Sequence, residues 1–232
     1  MLKAILPGLY TFTGLLVGRA YLIDDPDGIT LIDASIPPSG KTILDQVRAS
    51  GRKLSDIKRI LITHAHPDHI GGLPLIARET GAQVIAHEQE APVIRGEREI
   101  PRADPSTLTP LQRLMIPPKT LPKPSPVHRT VQDGDIITES FGGLTVIHTP
   151  GHAPGHVSYW QPEQKVLFVG DVIMRIPRQM RLPVASFTSD MPENKRSIHK
   201  LAELGAEIAC FGHGAPMTAL TAVNIREFAS RV

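Results

Sequence analysis

The chain contains a single cysteine, Cys210, so no disulfide can form within it. That fits a reducing compartment, and a cytoplasmic protein is the expectation. Aromatic residues are scarce at 4%, too few for a base-stacking surface. Excess charge is also missing: the formal balance is +2, with lysines and arginines scattered rather than blocked. Nothing in that balance calls for nucleic acid as a partner. No apolar run approaches the roughly 18 residues of a membrane span. The first residues are broken by Pro7, Gly8, Thr11, Thr13 and Gly14 and carry no small-residue cleavage site. They read as a first strand rather than a signal peptide. The expected partner is therefore a small molecule, with no nucleic acid and no membrane.

What is present is enough apolar material for a sizeable core, 41% of 232 residues, with no interior linker to divide it. One domain over 1–232 is expected. Residues 4–33 read as β, with Leu15–Asp24 and Ile29–Ile32 joined by the turn signal Asp25-Pro-Asp-Gly28. A helix over Lys41–Ser50 places Ile43, Leu44 and Val47 on one face and stops at Gly51. Arg59–Thr63 is a short buried strand, and Leu73–Glu79 a helix ending at Gly81. Gln83–His87 is another strand. Eight prolines between Glu97 and Pro126 mark an irregular, lid-like excursion with one short helix near Leu108–Met115. Strands are expected at Asp135–Thr138, Leu144–His148, His156–Trp160 and Lys165–Val169. A helix over Glu193–Leu204, the strand Ile208–Phe211 and a last helix over Ala219–Ser230 complete the chain. Two runs of strands, each followed by helices, predict an α/β fold of two packed sheets with helices outside.

The strongest chemical signal follows the strand at Arg59–Thr63. His64-x-His66-x-Asp68-His69 puts four candidate ligands within six residues. A helix would space facing ligands three or four apart, whereas alternate spacing suits an extended or tightly looped backbone. Pro67 bars a helix from running through the motif, and Gly71-Gly72 allows a tight turn after it. The other signals also stand at strand ends: His152 in Thr149-Pro-Gly-His-Ala-Pro-Gly-His156, Asp171 in Phe168-Val-Gly-Asp, and His213 in Phe211-Gly-His-Gly. A carboxylate at the end of an apolar strand is costly unless paired or metal-bound. Any one of these residues alone is weak; together they form a convergent imidazole and carboxylate set.

These motifs, in this order and at these separations, resemble the metallo-β-lactamase fold superfamily of hydrolases. Leu31-Ile-Asp33 matches an early aspartate of that family, and the resemblance covers roughly residues 10–215. It implies a four-layer αββα sandwich with the site at one edge of two mixed sheets. By the same resemblance His64, His66 and His152 hold one metal, Asp68, His69 and His213 a second, and Asp171 bridges them. The implied cofactors are two divalent cations, zinc first, with manganese, cobalt or iron as alternatives. Asp68 carries over a catalytic role, orienting the attacking hydroxide and passing a proton to the leaving group. Asp33 is balanced between tethering the metal loop and capping a strand. His156, His148 and His87 are expected to be structural, and Cys210 a small buried residue, since His69 and Asp171 already complete the second metal's set.

The bond cleaved is less legible. True β-lactamases of the three-histidine type usually lack the bridging aspartate. Glyoxalase II-type thioesterases share the Thr-Pro-Gly-His-x-Pro-Gly-His run, but only 19 residues follow His213, leaving no room here for their helical extension. N-acyl homoserine lactonases share all seven ligands, yet often place a tyrosine where this chain has Met174. An ester or lactone hydrolase fits best. An iron-dependent oxidoreductase on the same fold and a metal binder without turnover are the non-hydrolase alternatives. Arg175, Arg178 and Arg181 are weighed between greeting an acidic substrate group and forming a solvated loop. Leu108, Leu111, Leu114, Met115, Ile116, Met174, Ile176, Met180 and Leu182 offer apolar surface for an acyl pocket, ordinary packing or a homodimer contact.

Overall fold

Side chains along each strand alternate between the two faces of a sheet, and here both faces are buried in the central strands, which sets the layers. The computed structural model describes residues 1–177 and 179–232. In its first half it has strands β1 (Leu2–Leu6), β2 (Leu9–Phe12), β3 (Tyr21–Asp25) and β4 (Gly28–Ile32), then helix α1 (Pro37–Ala49) and strand β5 (Ile57–Leu61). Helices α2 (Pro67–Ile70) and α3 (Leu73–Thr80), strand β6 (Gln83–His87), short helices α4 (Ala91–Ile94) and α5 (Pro110–Arg113) and strand β7 (Arg129–Val131) follow. The second half has β8 (Ile136–Ile137), β9 (Leu144–His148), β10 (Val157–Gln161), β11 (Val166–Gly170), β12 (Met174–Arg175) and β13 (Met180–Arg181). It ends with α6 (Met191–Ala202), β14 (Ile208–Phe211) and α7 (Thr221–Ala229).

β1 to β7 form a seven-stranded sheet in sequence order, and β14-β11-β10-β9-β8 form a five-stranded one. Both are mixed. The first is antiparallel from β1 to β4 and parallel from β4 to β7. In β3, Tyr21 and Ile23 face the second sheet, while Leu22 between them faces helices α1 and α3. In β11, Val166 and Phe168 face inward, while Leu167 and Val169 pack against α6 and α7. Three apolar layers result: one between the sheets, one under α1 and α3, and one under α6 and α7. This is the expected αββα sandwich.

The direction of the strands positions the site. β4 and β5 run parallel. β9 and β11 are each antiparallel to β10, and β14 is parallel to β11, so β9, β11 and β14 point the same way. Buried hydroxyls tie the two sheets near these strand ends: Tyr159 donates to the Ile62 carbonyl at 2.8 Å and Tyr21 to the Phe211 carbonyl at 2.7 Å.

Several expectations need correction. Leu15 to Ala20 is a loop before β3 rather than part of a strand. Pro67 opens a helical turn instead of preventing one: its fixed φ and missing N–H suit the first helical position, with His66 as the N-cap. The excursion over 97–126 is irregular as expected, with α5 capped by Thr109, whose hydroxyl accepts from the Gln112 amide at 3.3 Å. α4, β7 and the β12–β13 hairpin were not legible as elements. Each is two to four residues long, too short to show a period. No helix among the described residues is long and apolar enough to cross a membrane.

Candidate metal centre

All seven expected ligands meet at one end of the sandwich. His64, His66, Asp68 and His69 follow β5, His152 follows β9, Asp171 follows β11 and His213 follows β14. Ring nitrogens of His64, His66 and His152 form one group whose atoms lie within 4.8 Å of one another. Asp68, His69, Asp171 and His213 form a second group on the same criterion. Asp171 stands between the groups. Its Oδ2 is 3.1 Å from His213 Nε2 and 3.6 Å from His152 Nε2, and its Oδ1 is 3.4 Å from His69 Nε2.

The backbone is shaped to allow this. Asp33 adopts φ 60, a left-handed conformation that aspartate tolerates better than most residues. The bend carries its carboxylate across to the loop after β5. Oδ1 accepts from the Thr63 amide and Oδ2 from the Thr63 hydroxyl, both at 2.8 Å, and Oδ2 also accepts from His69 Nδ1 at 2.7 Å. Asp33 is thus the tether rather than a strand cap. Gly212 has no room for a side chain, because a Cβ there would collide with Asp171 Oδ1.

Hydrogen bonds on the outer ring nitrogens fix the tautomers. Thr63 Oγ1 donates to Asp33 and so accepts from His64 Nδ1 at 3.1 Å. Thr188 Oγ1 donates to the Val184 carbonyl and accepts from His152 Nδ1 at 3.2 Å. His69 gives its Nδ1 proton to Asp33. The inward Nε2 atoms of His64 and His152 therefore present lone pairs, and Nε2 is the nitrogen His69 turns towards the cluster. His66 Nδ1 lies 3.2 Å from His64 Nε2 and 2.9 Å from His152 Nε2, so three ring nitrogens converge on one point where a cation would fit. His69 Nε2 and Asp171 Oδ1 are buried without a hydrogen-bond partner among the described residues. Buried polar atoms are otherwise paired, so these two are the plainest sign that the cluster fits metal.

Charge follows the same division. Burial and neighbouring rings push the pKa of His64 and His152 well below that of a free histidine, and burial takes His66 to about 4. All three stay neutral, as ligands must. In the second group burial opposes charge on the histidines, but the carboxylates prevail. Asp171, Asp33 and Asp68 raise His69 well above its ordinary value, and hydrogen bonds to Asp171 and Asp68 raise His213 to about 9. Burial works against ionised Asp68 as well; His69 and His213 overcome it and hold the carboxyl at about 2. The second group is thus an acidic pocket that favours cations.

Residues outside the seven also find their places. His156 accepts the Asp171 amide at Nε2, 3.0 Å, and meets the Thr149 hydroxyl through Nδ1, 2.9 Å, so its role is structural as expected. His87 and His148 stack on each other with ring centroids 4.5 Å apart. Cys210 is buried between the sheets. Arg175 braces the His213 loop: its Nη1 donates to the carbonyls of Ala215 and Pro216 at 2.8 and 3.0 Å. Arg181 donates to the Ile176 carbonyl and is exposed, and Arg178 lies outside the described residues. The residue that sequence reasoning missed is Glu90. It is 1% exposed, and its two oxygens accept from the Ala65 and Gly155 amides, both at 2.7 Å. It clips the loop of His64–His69 to the loop of His152. Its only signal is a glutamate after a strand, which is commonplace.

A cavity of about 380 Å³ opens onto the cluster at His66, Asp68, His152, Asp171 and His213. Of the apolar residues weighed between a pocket wall and ordinary packing, only Met174 lines this cavity. Ile100, Pro117 and Pro118 of the Pro-rich excursion form one wall, with Val184 and Phe187 on another. Leu111, Leu114, Met115 and Ile176 are exposed instead, and Leu108 is buried.

Residues 13–213 match the family profile of the metallo-beta-lactamase superfamily. The chain belongs to that superfamily. It is 30% identical over 219 residues to the probable metallo-hydrolase YflN of Bacillus subtilis (strain 168), covering 87% of this chain and 82% of that protein. A hydroxyacylglutathione hydrolase of Methylobacterium nodulans is 28% identical over 171 residues. The match covers 74% of this chain and 54% of that relative, so the chain spans about half of its length. Among solved structures, a metallo-beta-lactamase family protein from Thermus thermophilus superposes with a TM-score of 0.70 at 25% identity, over 98% of this chain and 80% of that one. With metallo-hydrolases as relatives and a ligand-grade cluster, the chain is a metal-dependent hydrolase of this superfamily.

Proposed function

We propose that the protein is a binuclear hydrolase that cleaves an ester or lactone bond in a small molecule with an apolar acyl part. One observation carries this reading: two ligand groups joined by Asp171 lie at the end of one largely apolar cavity. His64, His66 and His152 would hold one cation, and Asp68, His69 and His213 the other, with Asp171 shared. Zinc suits imidazole and carboxylate donors with positions left open. When bound, such a pair of cations would supply an ionised water at neutral pH and polarise the substrate's oxygen.

The chain's own residues do the rest. Asp68 lies on the cavity wall with its Oδ2 fixed by His213 Nε2 at 2.9 Å. It orients the attacking water, takes its proton and delivers that proton to the leaving oxygen. Asp33 and Glu90 keep the ligand loops in register, so little reorganisation accompanies the reaction. The apolar wall binds the acyl chain and keeps bulk water from it.

A thioester is the second reading, supported by the hydroxyacylglutathione hydrolase relatives and by the Thr149–His156 run. A panel on zinc-loaded protein separates them: lactones and esters of graded acyl length, thioesters, phosphodiesters and a β-lactam. Turnover of esters or lactones, rising with chain length, is expected. Turnover confined to thioesters would replace the first reading with the second, and turnover of none would end both.

A further inference from the structure

We infer that Arg102 is a specificity residue that receives a carboxylate at the far end of the substrate's acyl chain. The inference rests on the proposed ester hydrolysis at the same cavity. Apart from the metal cluster, the cavity wall is apolar or neutral, with Ile36, Ile100, Met174 and Phe187 among its members. Arg102 is the exception: among the described lining residues it is the one cation not belonging to the cluster.

The guanidinium has five N–H donors. Its one hydrogen bond to protein among the described residues is from Nη1 to the Pro117 carbonyl at 3.2 Å. Among the described residues no carboxylate comes within ion-pair distance of it, in contrast to Arg52, Arg59 and Arg129, which each hold one. Its other nitrogens are not among the buried unpaired atoms, so they remain open to a ligand.

A guanidinium with open N–H groups on the wall of an otherwise apolar cavity offers an anion a charge-assisted partner, and the low-dielectric walls around it strengthen that attraction. The backbone around it is stiff: Pro101 precedes Arg102, and Pro117-Pro118 carry the carbonyl that anchors it. A pre-set guanidinium loses little entropy when it grips a planar carboxylate through two N–H groups. The implied substrate is bifunctional: a scissile acyl bond at the metal cluster, an apolar spacer, and a terminal carboxylate at Arg102.

The test uses the zinc-loaded enzyme and paired p-nitrophenyl esters of equal chain length, one ending in methyl and one in carboxylate, from four to eight carbons. Wild type should favour the carboxylate ester by roughly tenfold to a hundredfold at its best length, mostly through KM. Arg102→Gln keeps an N–H for the Pro117 carbonyl and removes the charge. It should abolish that preference and leave the methyl-ended ester unchanged, while Arg102→Lys retains part of it. Equal losses on both esters in Arg102→Gln would show a mere lid brace and overturn the inference. So would a wild type with no carboxylate preference at any length. Calorimetry supplies a readout that needs no turnover: octanedioate, with one carboxylate for the metal cluster and one for Arg102, should bind more tightly than octanoate to metal-loaded wild type, and equally to metal-loaded Arg102→Gln. Equal binding to wild type would overturn the inference even if esters are cleaved. Tighter octanedioate binding without ester turnover would uphold the anion site while removing the hydrolytic reading.

Discussion

Glu90→Ala is the substitution whose consequence the structure fixes most closely. The carboxylate accepts two backbone amides, Ala65 and Gly155, at 2.7 Å each, from two loops that each carry cluster histidines. Hydrogen bonds to a charged acceptor contribute about 1.5–3 kcal/mol each, so the pair amounts to roughly 3–6 kcal/mol. Some of that is offset. Burial raises the Glu90 pKa despite the two amides, so ionising it inside the protein carries a cost that alanine removes. The variant, however, leaves two buried N–H groups without partners, and no neighbour can move in cheaply. A net loss of about 3 kcal/mol is expected, a large fraction of the roughly 5–15 kcal/mol that stabilises a domain. Zinc affinity should fall about 10- to 100-fold, because the loops of His64–His69 and His152 lose their clip. Glu90→Gln keeps one acceptor oxygen and turns an N–H towards the other donor, so it should recover less than half. Denaturant unfolding in the presence of chelator reads the first effect, and competitive zinc titration the second. If Glu90→Ala unfolds at the wild-type midpoint and binds zinc as tightly, the clip contributes nothing and the reasoning fails.

Other outcomes follow from the same geometry. His66→Ala and Asp171→Ala should each abolish hydrolysis and lower bound metal, measured by elemental analysis; normal metal and activity in both would overturn the site. Asp33→Asn turns an amide N–H towards His69 Nδ1–H or Thr63 Oγ1, pressing His69 to move its proton to the inward nitrogen. About a 10- to 100-fold loss of metal affinity is expected from titration, with the fold retained by circular dichroism. The metal-free protein should lose stability on acidification. His66, lowered from 6.5 to about 4, stays neutral in the fold while the unfolded chain takes up its proton, so its contribution is present above pH 6.5 and lost down to about pH 4. That one group accounts for roughly 3 kcal/mol, and His156, lowered to about 3, acts the same way. His213, raised to about 9, has the opposite sign: its contribution is full below pH 6.5 and lost as the pH rises through 9. Unfolding midpoints with chelator should therefore peak near neutral pH, and a flat profile from pH 4 to 9 would contradict the burial of these rings.

The sequence by itself determined the layers and which imidazoles and carboxylates gather at one end of the sandwich. Continuous apolar runs in Tyr21–Ile23 and Val166–Val169 specify sheets buried on both faces, and Ile43, Leu44 and Val47 mark the inner face of α1. Histidines and aspartates at four strand ends were legible because chemistry concentrated there stands out against apolar runs. Only the tertiary structure decided what holds them. Asp33 became a tether because a left-handed turn brings it to His69, 36 positions along the chain. Glu90 became a clip because two loops far apart in sequence, at Ala65 and Gly155, pass either side of it. Neither fact has a local period or spacing to betray it, since a hydrogen bond across sheets depends on where strands end in space. The cavity wall was not legible for the same reason: hydrophobicity says which residues avoid water, while the path of the Pro-rich segment decides that Ile100 and Pro117 face the site and Leu111 and Leu114 do not.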